Sequence, residues 1–241
     1  GGIVASAFSL RTEHRKHRTM TTKPHNTDLT QRRRLPLLTL CGAAAAVLAW
    51  LIPSLSEAFE FQRGAVATGQ LWRLLSCHFA HWSADHLAWD LLGFVILGVI
   101  CENRGRRAML LTVAVSAVAI PVGVWLLLPE MTAYRGLSGI DSALFGLAVA
   151  LLAREGWRRK DKLSLVTVGL AAFGFVAKLG YEILDGSAFF VNSQHADMVP
   201  VPLAHLIGLA VGAGIWLLTS RRENGSPGKG QRWMLRGTHC P

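Results

Sequence analysis

Six apolar stretches, each longer than an ordinary strand and divided by polar links, limit what this chain can become. They fall at 35–52, 87–101, 108–128, 137–153, 163–179 and 202–219. About 20 helical residues cross a bilayer core, so several of these stretches are short. Short spans are tolerated where their ends border a water-filled cavity rather than lipid. The polar ends of the second, fourth and sixth stretches fit such a cavity. The expected fold is an all-α membrane protein with six transmembrane helices.

The 241 residues carry a net charge of +10, which raises nucleic acid as a partner. That reading needs a basic face on a folded domain, whereas these basic residues bunch between apolar runs. The lipid bilayer is the expected surrounding, and no nucleic acid is expected. Lys and Arg near span ends set orientation. Thirteen lie on one side, in clusters around Arg33, Arg106, Arg158 and Arg221, against Arg63, Arg73 and Arg135 on the other. Both termini are therefore expected to be cytoplasmic. The loops 53–86, 129–136 and 180–201 then face outward, the last with Glu182, Asp185 and Asp197 and no base. Residues 1–34 read as a disordered basic cytoplasmic segment, 35–220 as the helical domain and 221–241 as a disordered cytoplasmic tail. The first residue is not Met, and Met20 stands as an alternative start. Of Cys41, Cys77, Cys101 and Cys240, only Cys77 faces outward on this topology, so no structural disulfide is expected.

Polar side chains inside spans are costly and mark function by default. Ser138, in Gly136-Leu137-Ser138-Gly139, opens the fourth span, and its own N–H is among the unpaired donors of a helix N-terminus. A hydroxyl beside a free amide suits a nucleophile with an oxyanion donor. His205 opens the sixth span beside a stripe of Ala204, Gly208 and Gly212. The fourth span offers a matching stripe of Gly139, Ala143, Gly146 and Ala150. Small residues let helices approach closely; if the stripes face each other, His205 comes within reach of Ser138 and can act as its base. A Ser between glycines also caps helices, and a buried His also satisfies a carbonyl, so neither residue decides alone. His86 and Asp90, four apart on the second span, would line the same cavity. Cys77, His78, His81, His86 and Asp90 match no zinc spacing, so no metal and no cofactor is expected.

Together these residues resemble the rhomboid family of intramembrane serine proteases. Trp72-Arg73 resembles the Trp-Arg pair of its first outer loop. His81, His86 and Asp90 fall at the spacing of its His-x4-His-x3-Asn signature. Gly136-x-Ser138-Gly139 is similar to its catalytic GxSG, with Ala143-Leu144-Phe145-Gly146 following, and Ala204-His205-x2-Gly208-x3-Gly212 to its last motif. The resemblance implies a six-helix bundle, a Ser138–His205 dyad, and an oxyanion hole of His86 and the Ser138 amide. Asp90 stands where the family has Asn; it is expected either to be protonated and donate to the hole, or to turn away and pair with His86 or another donor. Ser142 replaces an aromatic residue that often supports the His, and Asp141, three residues after Ser138, is placed to bias His205.

The block Gly69-x-x-Trp72-Arg73-Leu74-Leu75-Ser76-x-His78-Phe79-x-His81, with Tyr134-Arg135 and Asp90, resembles the rhombosortase branch. That branch implies a bacterial inner-membrane enzyme trimming C-terminal Gly-Gly anchor tails from membrane-anchored exported proteins. Three other readings remain. One is a general rhomboid protease of other single-span substrates, and another a catalytically silent relative that binds clients, which Asp90 favours. The third is a transporter with a proton relay, which tends to show internal repeats; none is found here. Substrate identity and oligomeric state are not written in the sequence.

Overall fold

The longest helix of the chain runs 44 residues, from Ala84 to Leu127. At 1.5 Å per residue this is about 66 Å, more than twice a bilayer core. It breaks once, where Gly105 leaves helical geometry (φ −162°, ψ 65°), and so divides into arms 84–104 and 106–127. The computed structural model describes residues 35–186 and 201–225. The segments 1–34 and 187–200 (with Asp197), and the tail beyond 225 with Cys240, lie outside the described residues.

In chain order the helices are α1 (Leu37–Leu51), α2 (Pro53–Phe59), α3 (Arg63–Ala67), α4 (Arg73–Ser76) and α5 (Ala84–Leu127). They continue with α6 (Ser138–Arg159), α7 (Lys162–Asp185) and α8 (Pro202–Gly225). A 3-10 turn, Cys77–Phe79, precedes α5. Two-residue strands β1 (Phe61–Gln62) and β2 (Ala133–Tyr134) pair antiparallel, Phe61 opposite Tyr134. The apolar stretches of the sequence lie in α1, the two arms of α5, α6, α7 and α8. Three boundaries differ most from expectation. The fourth stretch, expected to end at Ala153, continues as helix to Arg159. The fifth stretch, expected to end at Leu179, continues as helix to Asp185. The last helix continues past Thr219 into the segment read as a disordered tail.

By length and composition α5, α7 and α8 can each cross a membrane, and α1 with α2, bent by 114°, can supply a fourth crossing. The outer face of α7 is apolar and open: Leu163, Phe173 and Leu184 are 77, 73 and 89 % exposed. Such a surface needs lipid or a partner against it. The protein is an α-helical membrane protein. α6 is less apolar, because Asp141, Arg154, Glu155, Arg158 and Arg159 lie within its 22 residues.

α6 is the centre of the bundle, in contact with α5, α7 and α8. The stripes of small residues face each other across α6 and α8. A Cβ on Gly208 would collide with the Gly139 carbonyl oxygen, and one on Gly212 with that of Ala143. Close backbone approach thus replaces interlocked side chains here. α1 packs on the first arm of α5, where a Cβ on Gly98 would meet Thr39. At that contact the buried Glu102 accepts from Leu38 N (3.1 Å), Thr39 N (3.0 Å) and Thr39 Oγ1 (2.9 Å). It satisfies first-turn amides that α1 cannot satisfy itself.

The segment 53–86, expected as a loop, is largely helical and fixed by arginines. Arg63 donates to the carbonyls of Val124, Trp125, Leu128 and Met131 at 2.7–3.2 Å. It closes the C-terminal end of α5 and lies over the Trp125 ring. Arg73 donates to the carbonyls of Glu57 and Glu60 at 2.8 and 2.7 Å. Pro121, inside α5, has no N–H for the Ala117 carbonyl, and His78 Nε2 meets that oxygen at 3.1 Å. Cys77, expected to face the outer compartment, is fully buried. Cys41, Cys77 and Cys101 are all free thiols.

Candidate active site

Gly136 sets the entry into α6. Its φ of +120° favours glycine, and a Cβ there would lie 2.8 Å from His86 Nε2 and 3.1 Å from Asp90 Oδ2. Its N–H donates to the Cys77 carbonyl (3.1 Å), while His78 Nδ1 lies 3.3 Å from the Gly136 carbonyl oxygen. The neighbouring Arg135 pairs with Glu60 (2.5 Å), donates to the His81 carbonyl (3.3 Å) and covers the Trp82 ring. With β1–β2 these contacts tie the long first connection to the turn that presents Ser138.

Ser138 is the first residue of α6 and partly exposed. Gly139 and Ala204 pack back to back, a Gly139 Cβ falling 3.4 Å from the Ala204 carbonyl oxygen. Their neighbours Ser138 and His205 therefore stand at one level, and both line a cavity of about 770 Å³. His86, Asp90 and Asp141 share its wall, with Phe145 and Phe175 stacked 4.6 Å apart.

Of the two places expected for Asp90, it takes the one turned toward His86 and other donors. Its Oδ2 accepts from Leu137 N at 2.8 Å and Ser138 N at 3.2 Å. His86 Nε2 lies 3.2 Å from the same oxygen. The Trp82 amide reaches His86 Nδ1 at 3.5 Å, which leaves Nε2 as the ring's N–H. His81 Nε2 is also 3.2 Å away, though outside hydrogen-bond geometry. Two main-chain donors converge on one oxygen of Asp90. The Ser138 amide, expected to be unpaired, is thus already engaged.

His205 is buried, and its Nδ1 lies 2.9 Å from Glu182 Oε2. Glu182 is buried as well, and its Oε1 accepts from Lys178 Nζ at 2.5 Å. Sequence reasoning missed both residues of α7. Glu182, expected in an outer loop without a base, sits on a helix one turn from Lys178. Asp141, expected to bias His205, is not its acceptor. Its Oδ1 has no hydrogen-bond partner, and its Oδ2 lies against Gly93 of α5. Ser142 donates to the Ser138 carbonyl (2.8 Å). Among the described residues no group of three or more His, Cys, Asp or Glu side chains could hold a metal ion.

Fold and cavity together define a helical membrane protein with a serine and a histidine at one cavity between its helices. The rhomboid domain model matches residues 68–222, more than half of the sequence, and the chain belongs to the rhomboid family, which is known for intramembrane serine proteases. Comparison with curated proteins gave no match.

Proposed function

We propose that this protein is an intramembrane serine protease in which Ser138 is the nucleophile and His205 its base. The observation that carries the reading is the seam between α6 and α8. Backbone contact at Gly139 and Gly208 holds Ser138 and His205 at the same level of one cavity. Ser138 Oγ attacks the scissile carbonyl and passes its proton to His205. The imidazolium then protonates the leaving amine, and water releases the acyl group by the reverse proton path. The Ser138 amide and His86 Nε2 are the oxyanion donors, and Asp90 holds both in the resting site. The chain crosses the membrane six times with both termini in the cytoplasm, α5 contributing two crossings. The protease domain is 35–220, with the last helix running on to Gly225. The substrates are membrane-anchored proteins in a bacterial inner membrane, and the branch is rhombosortase, acting on C-terminal Gly-Gly anchor tails.

A fluorophosphonate tests the reading, because it reacts with an activated serine and needs no substrate. The purified protein should be labelled at Ser138, and Ser138→Ala and His205→Ala should each abolish labelling while keeping the fold. Unlabelled wild-type protein would favour a second reading, a silent relative that binds clients. Its support is Asp90, already seated on the Ser138 amide.

A further inference from the structure

We infer that Glu182 of α7 is the acid that positions His205, and that Lys178 fixes which way the Glu182 carboxylate faces. The inference rests on the reading of His205 as the base of Ser138, and adds a third and a fourth residue to that pair.

A base must present a bare ring nitrogen to the hydroxyl, so the proton of neutral imidazole has to sit on the other nitrogen. The carboxylate of Glu182, 2.9 Å from His205 Nδ1, accepts only and so places the N–H at Nδ1. Nε2 is then the nitrogen left for proton transfer. The same carboxylate stabilises the imidazolium formed during attack. Lys178, 2.5 Å from the second oxygen, donates only. The row Lys178–Glu182–His205 therefore has a single hydrogen-bond sense, from both ends toward the carboxylate. All three line the cavity with Ser138. The other carboxylates on its wall are Asp90, which accepts from Leu137 N, Asp141, whose Oδ1 has no hydrogen-bond partner, and the exposed Glu130.

Lys178 makes the idea testable. In Glu182→Gln the amide oxygen must turn to the Lys178 ammonium, so the amide NH2 faces His205 Nδ1. Nδ1 becomes an acceptor, the proton moves to Nε2, and the base is lost. Trapping the wrong tautomer in a serine triad costs about 10⁴ in rate. Replacing Lys178 by Met frees the glutamine to turn its oxygen to His205, which restores the Nδ1–H tautomer.

The experiment uses the full chain in detergent with two readouts, the rate of fluorophosphonate labelling and the ¹⁵N shifts of the His205 ring. Wild type should show Nδ1 protonated and Nε2 bare. Glu182→Gln should reverse the pattern and label on the order of 10⁴-fold more slowly. The double variant Glu182→Gln/Lys178→Met should regain at least tenfold of that loss and the wild-type ring pattern. A ring protonated at Nε2 in wild type, or Glu182→Gln labelling at the wild-type rate, would overturn the inference. So would a double variant no faster than Glu182→Gln. If the ring behaves as stated but no form is labelled, the protease reading fails while the positioning of His205 stands.

Discussion

The Asp90 carboxylate accepts the Ser138 amide at 3.2 Å, so the donor that an oxyanion would need is held by a side chain of the protein itself. An oxyanion forming beside that carboxylate would meet a like charge. Asp90→Asn removes the charge and keeps an oxygen for the Leu137 and Ser138 amides. Its labelling rate should equal or exceed that of wild type, by up to about tenfold if one hydrogen bond to charge is weakened. Asp90→Ala should lower the melting temperature, since buried donors left unpaired cost about 1–3 kcal/mol each. A 100-fold slower Asp90→Asn, in the same assay, would mean that the carboxylate itself is required.

Gly208→Ala should damage both stability and activity. Its Cβ would press on the Gly139 carbonyl and lie 3.1 Å from the Ala143 amide, and backbone cannot step aside as a side chain can. Overpacking of this kind costs about 1–3 kcal/mol, and the separation it forces lies beside Ser138 and His205. Gly174→Ala on α7, with nothing within 4 Å of the new methyl, is the control. Its thermal midpoint should hold or rise, alanine being the better helix former by about 1 kcal/mol.

Glu102→Ala should lower stability without altering the site. Three donors at the start of α1 lose their acceptor, a loss of about 2 kcal/mol or more in a buried position. The melting temperature should fall, while the labelling rate per folded molecule below that temperature stays at the wild-type value.

Orientation is checked by fusion. The excess of Lys and Arg on one side predicts a cytoplasmic C-terminus. A fluorescent protein joined after Arg222 should fluoresce, and alkaline phosphatase at the same junction should stay inactive. The opposite pair of results would invert the proposed topology.

The sequence was most informative where structure follows from local pattern. Apolar length marked the helices, and the spacing of Ala204, Gly208 and Gly212 against Gly139 and Ala143 marked the seam between α6 and α8. It was least informative where distant groups decide. Nothing near Asp90 says that the Leu137 and Ser138 amides will arrive on its oxygen from 47 and 48 residues away. The order of 53–86 is likewise non-local, because Arg63 and Arg73 hold it through main-chain carbonyls. Glu182 is a different case. Ending the fifth stretch at Leu179 treated loss of apolarity as loss of helix. A helix bordering a cavity with polar side chains on its wall can turn polar on one side without ending, and the Lys178–Glu182 spacing of four was the available sign.

Arg63 binds four carbonyl oxygens and no side-chain acceptor. Every amino acid supplies that carbonyl, so the lock at the end of α5 reads the path of the chain rather than its spelling. Substitutions at 124, 128 and 131 leave its acceptors in place. A change at Arg63 removes all four bonds at once, and lysine, a point charge without the planar fork, cannot span them. Over generations the two halves of this contact should therefore age at different rates, the carbonyl side drifting and the guanidinium standing still.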